Sequence, residues 1–451
     1  MTSTDIKADV ERPQAPGRWA RTTTPPALPA QRRPEIAVIG AGYVGLPLAR
    51  VFTEAGRCVV LVDVVDERVA AIMRGESHIE DVPAEILRGL LDDGLTATTD
   101  YDILREVESI VIALPTPLSK QREPDLSIVL GAVRQIGRRL QPGQLVVLES
   151  TTYPGTTREQ ILPLLEQESG LTVGRDFHLA FSPERVDPGR VDWTTKTVPK
   201  VVGGITPDCT DRAAELYGAA IDRVHRVTTP EAAELTKLLE NIFRSVNIAL
   251  VNELAQLCDR MGIDVWEVTE AAATKPFGFM SFQPGPGLGG HCIPIDPFYL
   301  TWKAREFGFA TEFIELAGKI NESMPYYCRS LVSQALNHGA GKALSRSSVL
   351  VLGVSYKRDL GDMRESPALK IIELLRSAGA EVGYHDPYVP ELPELSLRSV
   401  ELDPTAYDCI AIVTDHTTVD YDAIVASGAV VVDFRNATGA TGTAAEKVWK
   451  L

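Results

Sequence analysis

A cysteine lies in a stretch rich in glycine and proline, GPGLGGHCIPIDPFYL, which runs from residue 285 to 300. As a thiolate, Cys292 would be a nucleophile able to capture an aldehyde covalently. The alternatives are a buried inert thiol, or a metal ligand beside His291, for which the chain offers no further ligands at recognisable spacing. Asp296 follows four residues later, which suits one helical turn if Pro294 permits it. These residues alone leave the nucleophile and the inert thiol both open.

Two more sets of polar side chains are of types that take part in catalysis. Lys237 and Asn241 are four residues apart in a helical pattern, so they share one face. An ammonium and a carboxamide there would stabilise a developing oxyanion, and the alternative is a solvated helix face. Glu184, in the proline-flanked stretch FSPERVDPG, would serve as a general base or orient a water. The alternative for Glu184 is a surface salt bridge.

A glycine-rich turn predicts dinucleotide binding. The hexapeptide GAGYVG comes directly after an apolar run and opens a helical pattern, and it contains Gly40, Gly42, Tyr43, Val44 and Gly45. Its glycines allow a pyrophosphate to approach the backbone at a helix N-terminus. Asp63, at the end of the next apolar run, would accept the ribose 2′-OH and favour NAD over NADP, a preference that Arg68 weakens. The alternative is a glycine turn that has lost its ligand.

Polar residues also follow two further apolar runs. The stretches ALPTP (113–117) and ESTTYPG (149–155) place Thr116, Ser150 and Thr151 just after predicted strands. In a parallel sheet these positions face the ligand crevice, so the three are candidate cofactor or substrate contacts. Turn chemistry explains threonine and serine there equally well.

The elements that must position these residues form three blocks after a leader. Residues 1–33 show little hydrophobic periodicity and are expected to be disordered. Over residues 34–220, short apolar runs alternate with helical patterns, which predicts a parallel sheet. Residues 221–338 are mainly helical, with Thr229 as N-cap of one long helix expected to form a dimer core. Residues 339–451 repeat the strand–helix alternation without a second glycine fingerprint. The fold class is therefore α/β, with two doubly wound domains joined by a long central helix.

The composition limits the kinds of partner and the cellular location that are expected for this protein. The 451 residues carry a net charge of −16, which argues against nucleic acid or an anionic membrane as the main partner. No apolar run approaches the ~18 residues that span a bilayer, and no signal-peptide order is seen, so a cytoplasmic location is expected. No CxxC pair occurs among the six cysteines, which are Cys58, Cys209, Cys258, Cys292, Cys328 and Cys409. This pattern predicts reduced thiols.

The motifs together resemble one family. The stretches IAVIGAGYVGLPLA, ESTTYPGTT, SPERVDPG, ELTKLLENIFRSVNIALVNEL, GPGLGGHCIPIDPFYL, YKRDLGDMRESPALKIIELL and VVVDFRN resemble the UDP-glucose/GDP-mannose dehydrogenase family, in order, from about residue 34 onward. The resemblance implies two Rossmann-like domains joined by a dimerising helix. It also implies a two-step, NAD-dependent oxidation of a sugar-nucleotide C6 alcohol to a carboxylate by a homodimer or higher homo-oligomer.

Residue roles follow from the same resemblance. Cys292 resembles the nucleophile, Lys237 and Asn241 the pair that steadies the oxyanion, and Asp296 the carboxylate that orients a water or base. Glu184 resembles a substrate-site carboxylate with a catalytic role, and Thr151 is a further catalytic candidate. Lys357 resembles a substrate contact, Arg435 is a weaker substrate candidate, and Arg364 resembles a cofactor contact. Gly287 and Gly289 are expected to make room for the substrate. No metal is expected.

Two departures bear on the substrate. Ile295 stands where UDP-glucose dehydrogenases usually have lysine, and Pro188 where they usually have a second glutamate. The chain looks more like the branch acting on UDP-N-acetylhexosamines, with UDP-N-acetylglucosamine preferred over UDP-N-acetylmannosamine and UDP-glucose. A silent sugar-nucleotide sensor and a simple hydroxyacid dehydrogenase remain as other classes.

Overall fold

A computed structural model describes residues 33–119, 123–187, 192–290 and 293–451. The predicted leader up to residue 32, together with Pro188, His291 and Cys292, lies outside the described residues. Within 33–451 the chain forms a single compact unit.

The N-terminal part of this unit is built on an eight-stranded sheet. Its strands are β1 (Ile36–Ile39), β2 (Val59–Val62), β3 (Leu95–Thr98), β4 (Ser109–Ile112), β5 (Leu145–Leu148), β6 (His178–Phe181), β7 (Lys200–Gly204) and β8 (Val224–Arg226). Its helices are α1 (Gly45–Glu54), α2 (Asp66–Met73), α3 (Ala84–Asp92), α4 (Ser127–Gly137), α5 (Leu162–Ser169) and α6 (Pro207–Gly218). A 3₁₀ helix covers Tyr101–Arg105, and a π-helical turn, Thr157–Ile161, precedes α5.

The strand order is β3-β2-β1-β4-β5-β6-β7-β8, which is a doubly wound sheet. Strands β1, β2, β4 and β5 are fully buried because helices cover both faces, so they are apolar except for Ser109 at the start of β4. The predicted parallel sheet holds from β3 to β6, but β7 pairs antiparallel with β6. The six parallel strands bring their carboxyl ends to one edge, where Asp63, Ser150 and Glu184 follow their strands.

Four helices follow the first sheet: α7 (Pro230–Met261), α8 (Val265–Ala273), α9 (Asp296–Ala304) and α10 (Glu312–Ala335). The predicted long helix is confirmed, as is its start, because the Thr229 side chain accepts a hydrogen bond from Ala232 N at 3.2 Å. Gly262, with φ 67°, ends the helix. A 3₁₀ helix (Arg305–Phe307) follows α9, and a π-helical turn (Leu336–Ala340) follows α10.

A second sheet, in the order β10-β9-β13-β14-β15, forms the C-terminal part. Its elements are β9 (Ser348–Leu352), α11 (Pro367–Ser377), β10 (Glu381–His385), β13 (Cys409–Ile412), α12 (Tyr421–Ala426), β14 (Val430–Asp433), α13 (Gly439–Thr443) and β15 (Val448–Lys450). Strands β11 (Glu391–Leu392) and β12 (Leu397–Arg398) form a small hairpin, and 3₁₀ turns lie at Leu344–Arg346, Pro393–Leu395 and Pro404–Ala406. All five strands of the second sheet are parallel, as predicted for a second doubly wound domain.

The hydrophobic core joins the central helices to the second sheet. Trp266 of α8 and Met324 of α10 belong to the same buried cluster as Val349 of β9 and Ile371 of α11. Two other clusters cover the two faces of the first sheet. Among the described residues, no helix is long and apolar enough to cross a membrane.

We predict that Thr229→Ala lowers the free energy of unfolding by about 1 kcal/mol, because it removes the side-chain cap of α7. The matched control is Thr236→Ala in the same helix. Its hydroxyl donates to the Ala232 carbonyl at 2.7 Å, a bond that adds little to helix stability. Denaturant unfolding of both variants checks the difference, and equal losses would show that the cap contributes nothing specific.

Candidate active site

The glycine-rich turn lies between β1 and α1, as predicted. Gly40 has φ 100°, and a side chain on it would strike the Ala113 carbonyl after β4. A side chain on Gly45 would overlap the Gly40 carbonyl, whereas Gly42 faces open space. The turn is therefore closely packed against protein on one side and open to a ligand on the other, which fits a dinucleotide pyrophosphate at the N-terminus of α1.

Asp63 follows β2 and lies beside this turn. Its carboxylate accepts from Ala41 N at 2.9 Å, Val65 N at 3.0 Å and Arg68 Nη1 at 2.9 Å. Burial would raise the pKa of Asp63, but these three donors together lower it, so the group stays ionised. Arg68, the residue expected to weaken the preference for NAD, is thus held by Asp63.

Two residues link the turn to other segments. His78, which the sequence reasoning did not single out, places Nε2 2.9 Å from the Ala41 carbonyl and so fixes the turn from outside. The Arg364 guanidinium stacks over the Tyr43 ring at 4.7 Å and pairs with Asp362. Arg364 therefore reaches the glycine-rich turn from the C-terminal part of the chain.

The residues that follow β4 and β5 are joined by hydrogen bonds along one edge of the cleft. Thr116 Oγ1 donates to the Thr151 carbonyl at 2.7 Å, and Leu114 N donates to Ser150 Oγ at 3.0 Å. The hydroxyl of Tyr299, a fully buried residue of α9 that the sequence reasoning missed, donates to the Thr116 carbonyl. Thr116 and Ser150 thus have structural partners, and both also line the cleft.

Lys237, Asn241 and Asp296 form a buried polar cluster. Lys237 and Asn241 are only 7% and 3% exposed, so the solvated-face alternative is wrong. Asn241 Nδ2 donates to Asp296 Oδ2 at 2.5 Å. Burial raises the pKa of Asp296 to about 6, although Lys237 and Asn241 oppose the shift. Helix α9 begins at Asp296, and position 292, the other end of the expected helical turn, lies outside the described residues.

Glu184 faces inward from the loop after β6. Its Oε1 accepts from Arg185 N at 3.0 Å and Val186 N at 2.8 Å, and its Oε2 lies 3.2 Å from Lys200 Nζ. Burial would raise the pKa of Glu184, but Lys200, the Val186 amide and Lys237 lower it. The carboxylate has a buried partner rather than the surface salt bridge that was its alternative.

The glycines before residue 291 pack against the segment that carries Arg364. A side chain on Gly289 would strike Tyr356, one on Gly287 would crowd Asn321 and Pro367, and Gly290 N donates to the Arg364 carbonyl at 3.0 Å. Close packing against protein therefore accounts for these glycines, and their predicted contact with substrate stays a prediction.

The two remaining candidates also lie near this region. Lys357 Nζ is 3.1 Å from Asp187 Oδ2, three residues beyond Glu184. Arg435 donates through Nε to the Val413 carbonyl at 2.9 Å and lies against Gly285, and burial lowers its pKa to about 10.

Most of these residues line one cleft of about 1360 Å³. A typical small-molecule site has roughly 300–1,000 Å³, so there is room for more than one ligand. The predicted residues that line it are Gly40, Gly42, Tyr43, Val44, Asp63, Arg68, Thr116, Ser150, Thr151, Glu184, Lys237, Asp296 and Arg364. The sequence reasoning missed Glu149, which also lines the cleft, and its neighbour Lys200. Glu149 stands first in ESTTYPG, directly after a predicted strand, and that position was its available signal.

The cleft joins a dinucleotide-binding turn to a buried lysine, amide and carboxylate, and this combination suits hydride transfer with proton abstraction. Among the described residues no His, Cys, Asp and Glu cluster could hold a metal ion. The fold and the cleft therefore define the class of NAD-dependent dehydrogenases.

The chain belongs to the UDP-glucose/GDP-mannose dehydrogenase family. The NAD binding domain of this family matches residues 34–221, its central domain residues 231–323, and its UDP binding domain residues 350–440. The predicted family, enzyme class and cofactor are thereby confirmed.

Three comparisons illustrate the relationship. A UDP-N-acetyl-D-mannosamine dehydrogenase of Pyrococcus horikoshii is 38% identical over 411 residues, which is 89% of this chain and 95% of the relative. A UDP-N-acetyl-D-glucosamine 6-dehydrogenase of Pseudomonas aeruginosa is 35% identical over 392 residues, covering 85% and 90%. A solved structure of UDP-D-ManNAc dehydrogenase from Pyrococcus horikoshii has a TM-score of 0.85 at 35% identity, covering 92% of this chain and 98% of that one.

The raised pKa of Asp296 predicts a pH-dependent gain in stability for Asp296→Asn. A carboxyl that titrates near 6 when folded and near 3.8 when unfolded loses stability as pH rises between these values. The asparagine removes that penalty and can still accept from Asn241. We expect its stabilisation relative to the unsubstituted protein to be about 1 kcal/mol larger at pH 8 than at pH 5.

Denaturant unfolding at the two pH values measures this difference. The control is Asp222→Asn, an exposed site of the same charge change, which should show no such dependence. A pH-independent effect of Asp296→Asn would contradict the raised pKa.

Proposed function

We propose that the protein oxidises the C6 alcohol of a UDP-N-acetylhexosamine to the carboxylate, with two NAD⁺ reduced per sugar. The observation that carries this proposal is the buried Lys237, Asn241 and Asp296 cluster in the same cleft as the glycine-rich turn. In this proposal residues 34–220 bind NAD, residues 221–338 carry the central helices and residues 339–451 bind the UDP group. The family matches support that division.

The first half-reaction converts the alcohol to an aldehyde. Bound NAD⁺ supplies the acceptor for the hydride that leaves C6. Asp296 receives the hydroxyl proton, which the Lys237 ammonium relays by giving one proton to Asp296 as it takes one from the hydroxyl. Asp296 suits this role because its pKa near 6 leaves it ionised at neutral pH but still basic. Lys237 and Asn241 then steady the negative charge that develops on the C6 oxygen.

The second half-reaction needs the nucleophile. The Cys292 thiolate adds to the aldehyde carbon, a second hydride leaves to a second NAD⁺, and a thioester results. Water then attacks the thioester, which releases the carboxylate and the thiol. Glu184 and Thr151 are the proposed groups near the reacting carbon, and the lowered pKa of Glu184 keeps its carboxylate ionised to orient that water.

The sugar is proposed to be N-acetylglucosamine, whose uronic acid would supply surface polysaccharide. Ile295 and Pro188 support an acetamido sugar over glucose, and the Pseudomonas aeruginosa relative is named for N-acetyl-D-glucosamine. N-acetylmannosamine is the second candidate, because the Pyrococcus horikoshii relative named for it is 38% identical over 89% of the chain.

A panel of UDP-sugars with NADH absorbance tests the proposal. We expect two NADH per sugar with UDP-N-acetylglucosamine, whereas one NADH would refute the four-electron reaction. Cys292→Ser should abolish formation of the acid, because a serine hydroxyl is not ionised at neutral pH and adds to an aldehyde far less readily than a thiolate does. Near-normal acid production by this variant would eliminate the proposed nucleophile, and turnover of a simple hydroxyacid would indicate a different class.

We further propose a homodimer built on α7. One face of this helix stays exposed although it is apolar, and its members are Leu235, Leu239, Phe243, Leu250, Leu254, Leu257 and Met261. The members are three or four residues apart, except for two turns of helix between Phe243 and Leu250, so they lie along one side of the helix. A stripe of this length exposed on one chain indicates a surface that a second copy covers.

Leu250→Glu/Leu254→Glu should convert the dimer to a monomer, because two buried charges would face each other across the interface. Light scattering measures the mass. The control is Arg134→Glu/Arg138→Glu, which places two glutamates at the same spacing on exposed positions at the end of α4, where Arg138 is the C-cap and pairs with Glu168 at 3.0 Å. An unchanged dimer in the α7 variant would contradict this interface.

A further inference from the structure

A buried lysine joins two carboxylates beneath the cleft. Lys200 begins β7 and has a side chain only 4% exposed. Its Nζ lies 3.1 Å from Glu149 Oε1 and 3.2 Å from Glu184 Oε2. Glu149 follows β5 and Glu184 follows β6, so the lysine ties together the carboxyl ends of two neighbouring strands.

Glu149 is held on one oxygen only. Its Oε1 accepts from Lys200 and from the hydroxyl of Tyr217, a fully buried residue of α6. Its Oε2 is buried and has no hydrogen-bond partner among the described residues. A buried carboxylate costs stability unless it is paired, so a half-satisfied one within the wall of the cleft is not explained by folding alone.

The charges and the burial of this cluster shift the pKa values of the two acids in opposite directions. Burial raises the pKa of Glu149, whereas Lys200 and Lys237 lower that of Glu184 despite its burial. The two carboxylates raise the pKa of Lys200, which therefore stays protonated. The groups that face Glu184 are Lys200 from β7, Lys237 from α7, and, more distantly, Glu149 and Tyr217.

We propose that Lys200 is a positioning residue for the reaction: it keeps the Glu184 carboxylate ionised and oriented in the cleft, and Glu149 with Tyr217 holds Lys200 in place for that purpose. The backbone amides of residues 185 and 186 fix only Oε1 of Glu184, so Lys200 determines the orientation and charge of Oε2. The inference rests on the proposed role of Glu184 in the dehydrogenase reaction.

Three variants separate this role from simple charge balance. Lys200→Met leaves two buried carboxylates without their cation, so it should lower stability and reduce kcat about tenfold or more. The kcat/KM–pH profile should have two acidic limbs, one near pH 6 from Asp296 and a lower one from Glu184. Lys200→Met should move the Glu184 limb about one unit upward. Glu149→Gln leaves Lys200 to Glu184 alone and should move the same limb downward. The double variant Glu149→Gln/Lys200→Met removes one negative and one positive charge, so the cluster keeps the net charge that it has in the unsubstituted protein.

The double variant is decisive. We expect it to regain most of the stability lost in Lys200→Met, because the Glu149 charge is gone. It should nevertheless keep the low kcat and the raised Glu184 limb of the pH profile. If the double variant instead regains the kcat and pH profile of the unsubstituted enzyme, Lys200 serves only to balance Glu149 and the proposal is overturned. This comparison holds even if Lys200→Met alone fails to fold.

A matched control is Lys303→Met. The Lys303 side chain is equally buried and also pairs with two carboxylates, Glu159 at 2.6 Å and Glu306 at 2.7 Å, but neither of these carboxylates lines the cleft. The Lys303→Met variant should lose stability without any movement of the Glu184 limb of the pH profile. A movement equal to that in Lys200→Met would show that this limb reports on stability rather than on Glu184.

A crystal structure of the double variant keeps the two proposals distinguishable. If the unsubstituted enzyme gives no NADH with any UDP-sugar, the proposed function fails, and the position of Glu184 then tests the inference by itself. We expect Oε2 of Glu184 to leave the place it has beside Lys200. An unchanged carboxylate position would overturn the positioning role.

Discussion

The buried polar face of α7 is the constraint on which the rest of the site depends. Glu234 of this helix accepts hydrogen bonds from Gly155 N and Thr157 N after β5, and Asn241 holds Asp296 at the start of α9. Farther along, Asn252 donates to Asn321 of α10. Because a buried polar group is costly unless it is paired, these bonds fix the helix against three segments at once. Lys237 is presented to the cleft as part of the same face.

The site separates its carboxylates by environment. Asp296 has few donors around it, so burial dominates and its pKa rises to about 6. Glu184 has two lysines and two backbone amides within its surroundings, so its pKa falls although it is also buried. One acid can thus exchange a proton near neutral pH while the other remains an anion, which is how a single cleft can host groups with different duties.

Much of the fold was predictable because its signals are local. Continuous apolar runs predicted the buried parallel strands, and Thr229 with Pro230 predicted the start of α7. The antiparallel β7 was not predicted, since strand direction depends on pairing between distant segments and not on the pattern within one strand.

The site was only partly predictable for the same reason. The turn containing Gly40 and the position of Asp63 follow from spacing, whereas the burial of Lys237 and Asn241 depends on which face of α7 packs inward. Lys200 and Tyr299 could not be found at all, because an isolated lysine or tyrosine gives no sign of the partner that the fold brings to it. His78 likewise contacts the turn across 37 positions of sequence.

The pairing of Asp63 with Arg68 has a consequence for the evolution of coenzyme choice. The arginine that a 2′-phosphate would need is already present, and only the neighbouring carboxylate occupies it. Loss of that one negative charge would free a cation at the ribose end of the cleft, so a single substitution at position 63 would remove the acceptor for the ribose and release the arginine together. The discrimination against a 2′-phosphate would then depend here on one carboxylate, rather than on the exclusion of basic residues from the neighbourhood.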